Sequence, residues 1–222
     1  LFRSLHLAPH KFLIAMSFTH LHLASGFSFK YGTTLPHLLV EQARELGMDS
    51  LALTDRDGLA GAIRFTQSCI ENQIAPILGV DIEYENQTRM TLLATPGKGW
   101  SSLVRIVTAL KKLGAPCNLA FLQEHSHYTT HLLALHGPDS EIGRALTSRR
   151  YDKSLALFNS SRELFLNQAI ECVSHLVYGD GPKSTIHADR MLGFARDHDF
   201  PAVLTNAARM RTRDDAPVAD VL

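Results

Sequence analysis

The chain predicts an α/β fold with a parallel sheet. Three observations carry that expectation. From residue 17 onward, short apolar runs of strand length alternate with segments of helical period, the pattern of successive βα units. Seven strand candidates within about 190 residues suit a closed or nearly closed barrel better than a doubly wound sheet. Neither a G-x-G-x-x-G after the first strand nor a P-loop is present, which weakens a Rossmann or NTPase reading.

The elements follow in order. Residues 17–23 read as the first strand and run into the Gly/Ser/aromatic loop of FTHLHLASGFSFKYG. Thr33–Met48 reads as a helix, with Thr34 as a cap, Pro36 in the first turn and Gly47 as its stop. Ser50–Thr54 is a short apolar strand, followed by a helix from Leu59 to Asn72 with Leu59, Ala62, Ile63, Phe65 and Ile70 on its buried side. Ala75–Tyr84 and Arg89–Thr95 are the third and fourth strands. Trp100–Leu113 is amphipathic, with Leu103, Ile106, Val107 and Leu110 at helical spacing. Gly114–Thr130 lacks a period and predicts a loop with a turn of helix. His131–His136 and Glu163–Ile170 are further strands, Pro138–Ser148, Asp152–Phe158 and Ser184–His198 are helices, and Pro201–Thr205 is the last strand.

The totals narrow the function classes. At 222 residues there is room for one sizeable core, and a hydrophobic share of 45% with a charged share of 20% is that of an ordinary globular chain. Lys plus Arg balance Asp plus Glu at 22 each, which argues against a strongly electrostatic nucleic-acid binder but leaves a local patch open. Cys69, Cys117 and Cys172 are scattered and form no C-x-x-C pair, so neither a disulfide framework nor a zinc knuckle is expected, and a reducing, cytoplasmic setting fits. No apolar run approaches the roughly 20 residues needed to span a bilayer, so no membrane partner is expected. Residues 1–16 look foreign to the fold and are expected to be a leader or upstream translation, with Met16 as the natural start.

In a βα barrel, chemistry collects at the C-terminal ends of the strands. Those ends carry His20 and His22, Asp55 and Asp57, Asp81 and Glu83, His136, His175 and Asn206. Period-two spacing predicts that both early histidines share one face. Imidazoles and carboxylates converging from separate strands suit Zn²⁺, Mn²⁺ or Fe, and neighbouring ions would bind phosphate and generate a hydroxide nucleophile. A quieter reading stands beside each residue. His136 and His175 can be hydrogen-bonded structural groups, and Asp55 with Asp57-Gly58 can be a cap and turn. Asp81 and Glu83 divide between barrel and solvent. His125, His127, His187 and His198 read as surface residues, and Phe27, Phe29 and Tyr31 as packing.

Four blocks, FTHLHLASGFSFKYG, LALTDRDGLAGAIRF, PILGVDIEY and AVLTNAARMRTRDDAPVADVL, resemble the PHP domain (polymerase and histidinol phosphatase family) that opens bacterial DNA polymerase III α subunits, closest to actinobacterial DnaE-type chains, the error-prone ones included. The resemblance implies a distorted (β/α)7 TIM-like barrel over residues 17–210, with 211–222 starting a linker toward a polymerase core. It also implies a metal site whose remnant would be His20, His22, Asp55, Asp81 and His175. At five family ligand positions this sequence has Ala24, Tyr31, Arg56, Ala207 and Arg209 instead. Alanine donates nothing, and guanidinium groups repel divalent cations. Arg56 and Arg209 are therefore expected to replace metal charge by pairing with Asp55 and Asp81.

By that resemblance the chain is the N-terminal PHP domain of a DNA-directed DNA polymerase in replication or translesion repair, with a degenerate metal site and a mainly structural role. The polymerase's own catalytic carboxylates are not in it. Zn or Mn would be the domain's ions, and Mg the parent polymerase's. The implied partners are the polymerase core, DNA through that core, and exonuclease or replisome subunits. The alternative is a metal-dependent PHP phosphoesterase, acting as a 3′–5′ exonuclease or pyrophosphatase.

Overall fold

The computed structural model describes residues 18–221; the readings of residues 1–16 and of Ser17 lie outside these. The sheet comprises β1 (Ser50–Leu53), β2 (Ala75–Tyr84), β3 (Thr88–Ala94), β4 (Leu132–His136), β5 (Asn167–Val173) and β6 (Ala202–Thr205). The strands are hydrogen-bonded in chain order, from β1 through β6. The helices are α1 (Pro36–Glu45), α2 (Ala62–Glu71), α3 (Gly99–Leu113), α4 (Leu119–Glu124), α5 (Ser126–Thr129), α6 (Glu141–Thr147), α7 (Tyr151–Ser161), α8 (Thr185–Asp197) and α9 (Ala216–Val221).

The sheet is mixed rather than wholly parallel. β3 runs antiparallel to both β2 and β4, while the other neighbours pair parallel. Only the short turn Glu85–Gln87 joins β2 to β3, and so short a link reverses the chain, because a parallel return needs a crossover of a dozen residues or more.

Residues 20–24 form an extended bent segment rather than the expected regular strand. The amides of Ala52 and Thr54 donate to the carbonyls of His20 and Leu23 at 2.9 and 2.8 Å. On its other side, Ala24 N–H donates to Ala208 O at 2.9 Å and Ala208 N–H to His22 O at 3.1 Å. The segment thus lies between β1 and the chain leaving β6, and the sheet curls round to meet it.

Pleat parity sorts the side chains. Leu51, Leu53, Val80, Ile82, Leu92, Leu132, Ala134, Ile170 and Cys172 join three core clusters shared with the flanking helices. Ala52, Leu93, Leu135 and Ala169, on the opposite parity, form a small cluster on the inner face of the curl. Asp81 and Glu171 share that inner parity, and both are buried among apolar strands.

Local signals hold unevenly. Gly47 stops α1 at φ +72°, with its N–H on Arg44 O and that of Met48 on Ala43 O, a Schellman closure. Thr34 does not cap α1; the N-cap is Leu35, with no side-chain bond. In α2 the buried face is Ala62, Phe65, Ser68 and Cys69, whereas Ile63 and Ile70 are exposed. Gly114–Thr130 contains α4 and α5 rather than a single turn. His187 is buried, not superficial: its Nε2 lies 3.1 Å from Gly143 O and 2.9 Å from Thr147 Oγ1. The three cysteines are buried free thiols, their pKa values pushed up to about 12, 12 and 11 by burial.

Candidate functional site

At the C-terminal ends of the parallel strands, charged side chains meet in a narrow cleft. Its walls include His22, Arg56, Asp81, Arg89, Glu171 and Lys183. The open volume at its centre is about 20 Å³, room for about one water molecule.

His22 and Glu171 form the inner pair. His22 Nδ1 lies 2.9 Å from Glu171 Oε1, which also accepts from the Thr205 hydroxyl at 2.5 Å. Burial opposes charge on the imidazole, but the charge and hydrogen bond of Glu171, helped by Asp81, outweigh it and raise the pKa above the ordinary histidine value. Burial likewise pushes Glu171 up, yet His22 prevails and the carboxyl ends below its usual range. Gly137 leaves the space that Glu171 fills; a Cβ there would overlap Oε2.

Asp81 is the hub of the outer pairs. Arg89 Nε donates to Asp81 Oδ2 at 2.7 Å, and its terminal nitrogen reaches Asp81 O at 2.5 Å and both oxygens of Asp57 at 3.1 and 3.2 Å. Arg56 Nε lies 3.5 Å and His22 Nε2 4.0 Å from the same Asp81 oxygen. Burial dominates over these cations, so the Asp81 pKa is raised. On the rim, Lys183 Nζ pairs with Asp139 Oδ2 at 2.7 Å and, against the effect of burial, holds that carboxyl low.

The sequence-predicted residues divide between this cleft and its surroundings. His22 and Asp81 come together. The side chain of His20 goes elsewhere, edge-on to Phe18 at 4.9 Å and into an apolar pocket with Leu39 and Met48, because the bend at Leu21–His22 breaks the period-two geometry. Asp55 braces the 25–28 loop: it accepts from Ser25 N at 2.6 Å, from the Ser25 hydroxyl at 2.9 Å and from the Ser28 hydroxyl at 2.7 Å. Burial raises its pKa against those bonds. His175 Nε2 meets Asn206 O at 2.8 Å, outside the cleft lining. His136 has outward parity and packs on Phe158 and Gln168; burial lowers its pKa to about 4. Asp81 is buried while Glu83 is exposed.

Of the five positions expected to have lost a ligand, Tyr31, Arg56 and Ala207 line the cleft. The Arg56 guanidinium lies 3.3 Å from the Tyr31 ring centroid and that of Arg209 5.5 Å from it. Arg56 pairs with Asp81 and not with Asp55, which the loop hydroxyls already occupy. Arg209 pairs with Asp220 at 3.9 Å and with neither expected carboxylate. Ala24 is buried and hydrogen-bonded through its backbone to Ala208. Glu171, Arg89, Lys183 and Asp139 were missed from the sequence. Glu171 did carry a signal, as a lone carboxylate within the apolar run AIECV; the others carried none.

The donor set does not fit a metal cluster. Among the described residues, no three His, Cys, Asp or Glu side chains are grouped to hold an ion. Asp81 Oδ2 is taken by Arg89 and His22 Nδ1 by Glu171, while the buried Asp81 Oδ1 and Arg56 Nε lack a hydrogen-bond partner. Arg56 and Arg89 supply positive charge where an ion would bring its own.

Linkage gives this pairing a pH signature. A raised His22 pKa contributes stability that is full below the unfolded histidine value and is lost as pH rises through the folded one. A lowered Glu171 pKa contributes stability that is full above the unfolded carboxyl value and is lost on acidification. The thermal-midpoint gap between the native chain and His22→Gln should therefore be widest at mildly acidic pH and narrow toward pH 9. A gap that widens with alkalinity would contradict the assignment. The difference is the right readout because half-buried His20 and the buried His136 and His187, all with lowered pKa values, push whole-protein stability the other way.

The PHP domain family model matches residues 20–175. An error-prone DNA polymerase of Symbiobacterium thermophilum is 44% identical over 94 residues, 42% of this chain and 9% of the relative. One from Alkalilimnicola ehrlichii is 27% identical over 208 residues, covering 93% and 19%. A DNA polymerase III subunit alpha of Buchnera aphidicola (Schizaphis graminum) is 32% identical over 139 residues, covering 58% and 12%. The chain thus spans less than a fifth of the length of these relatives. A two-domain Bacteroides vulgatus structure containing a predicted PHP-like metal-dependent phosphoesterase shares the fold at a TM-score of 0.59 and 13% identity, over 89% of this chain and 53% of that one. The matched stretch runs from the segment that delivers His22 through the strand that carries Glu171, and with these polymerase relatives it establishes that the chain belongs to the PHP domain family.

Proposed function

We propose that the chain is the PHP domain of a DNA polymerase III α-type polymerase, replicative or error-prone, in which the former metal site is a charge-paired structural element. The observation that carries this is the cleft itself: Arg89 and Arg56 converge on Asp81, His22 closes on Glu171, and about 20 Å³ remains. About 20 Å³ is too little room for an ion cluster or a phosphoester, and the one unpartnered carboxylate oxygen, Asp81 Oδ1, makes no cluster by itself. The domain spans 17–210 and residues 211–222 begin the linker. Its barrel is a distorted (β/α)7, with the 20–24 segment as the seventh stave; the hydrogen bonds it makes on both edges support that reading. The polymerase core, DNA, Mg²⁺ and an exonuclease or replisome subunit belong to the parent protein. Ile63 and Ile70, exposed two turns apart on α2, are apolar surface of the kind such a core would cover.

The test is metal content with hydrolysis. The purified chain, dialysed against Zn²⁺ or Mn²⁺ and then against buffer, should retain well under one equivalent and release no nitrophenol from bis-p-nitrophenyl phosphate. Stoichiometric, slowly exchanging metal together with turnover would restore the phosphoesterase reading.

A further inference from the structure

The net charge of zero hides an uneven distribution. Residues 95–131 carry four cations, Lys98, Arg105, Lys111 and Lys112, against one carboxylate, Glu124. Three histidines, His125, His127 and His131, lie in the same stretch. The fold gathers part of this charge along one groove. The outer face of α3 and the α4–α5 hairpin enclose an open channel of about 640 Å³. Trp100, Val104, Arg105, Lys112, His125 and Tyr128 line it, and none of its lining residues is acidic.

Aromatic rings form a terrace along the same channel. His125 stacks on Phe121, centroids 4.2 Å apart at 20°. His127 lies 3.8 Å from Tyr128, and the Arg105 guanidinium sits 5.8 Å from the Tyr128 ring. Trp100 and Tyr128 are only partly buried, anchored on the core and open on the other side. Their placement has a folding cause. Leu103, Ile106 and Val107 turn one face of α3 inward, and helical spacing sends Val104, Arg105, Thr108 and Lys112 outward.

Cations that track a phosphate backbone, beside flat rings on which bases stack, are the two requirements of sequence-tolerant single-strand binding. We propose that this groove binds single-stranded DNA, with Arg105 and Lys112 on phosphates and Trp100 and Tyr128 under bases. An acidic peptide would satisfy the cations but leave the rings idle. The proposal goes beyond the reading of the charge-paired cleft and does not depend on it, since the groove and that cleft share no lining residue.

The chain carries its own reporter, because Trp100 is its single tryptophan. Titration of the whole chain with oligo-dT should quench Trp100 fluorescence saturably. Two or three phosphate contacts predict a log–log salt slope of about −1.4 to −2.1, so affinity should fall roughly 7- to 20-fold between 50 and 200 mM salt. By anisotropy with labelled oligo-dT, the exposed reversal Arg105→Glu with Lys112→Glu should weaken binding at least ~10-fold, and Tyr128→Ala about 5-fold or more. An unchanged thermal midpoint in the charge-reversal variant shows that its fold is intact. Three results would overturn the proposal: no quenching at low salt, equal binding by the variants, or poly-glutamate or duplex DNA binding as tightly as oligo-dT. Retained oligo-dT binding in a chain that also held tight metal would overturn the cleft reading and leave this one standing.

Discussion

Arg89→Met should lower the thermal midpoint by about 6–12 °C, from a loss of about 3 kcal/mol or more. The size follows from what is left behind rather than from what is removed. Asp81 is 2% exposed, and Arg89 supplies its 2.7 Å partner. Without that guanidinium the carboxylate keeps only Arg56 at 3.5 Å and His22 at 4.0 Å, too far to replace a direct charge-assisted bond. The Asp81 pKa is already raised by burial and should climb further. A raised carboxyl pKa costs stability above that pKa and is relieved as pH falls through it, so the defect should be larger at pH 8 than at pH 5. Arg89→Met combined with Asp81→Asn removes the orphaned charge and should recover more than half of the loss. A double variant no better than the single one would mean that Arg89 acts through packing alone.

Gly137→Ala should destabilise by a similar amount through different physics. One methyl at this position overlaps Glu171 Oε2, and the carboxylate must swing away from His22 Nδ1 and the Thr205 hydroxyl. A buried carboxylate separated from its partners costs about 3–5 kcal/mol. The specific readout is His22: followed by NMR, its titration should fall back toward or below the ordinary histidine value once Glu171 no longer opposes burial. Gly193→Ala, inside α8 with open space around the added methyl, is the matched control and should be neutral or stabilising by up to about 1 kcal/mol. If both glycine variants lost stability alike, the cause would be general and the Glu171 pocket would not be the reason.

The cleft shows why polar sites read unevenly from a chain. His22 stood beside a Gly/Ser-rich loop, and Asp81 stood where the apolar run of its strand turns polar, so position exposed them. Arg89 did not, because β3 runs antiparallel and its first residues sit where the other strands finish. Lys183 lies in a loop whose path only packing determines. His136 stood at a strand end yet points outward, since parity along β4 places it with Leu132 and Ala134. His20 illustrates the converse: its spacing from His22 was right for one face, and a two-residue bend sent it into an apolar pocket.

By itself the sequence determined the alternation of strands and helices, the inward faces of α3, the Gly47 stop and the polar blocks of the PHP family. Each of these is local, set by side-chain period or backbone freedom within a few residues. Tertiary structure alone decided the reversal of β3, the wrapping of residues 20–24 against both β1 and the chain after β6, and the partners of every charge in the cleft. Those outcomes depend on contacts between residues far apart in the chain, such as His22 with Glu171 and Arg56 with Asp81. Burial then raised the cost of leaving any of them unpaired, because a carboxylate removed from water must find a cation or hydrogen-bond donors, and the fold chooses which.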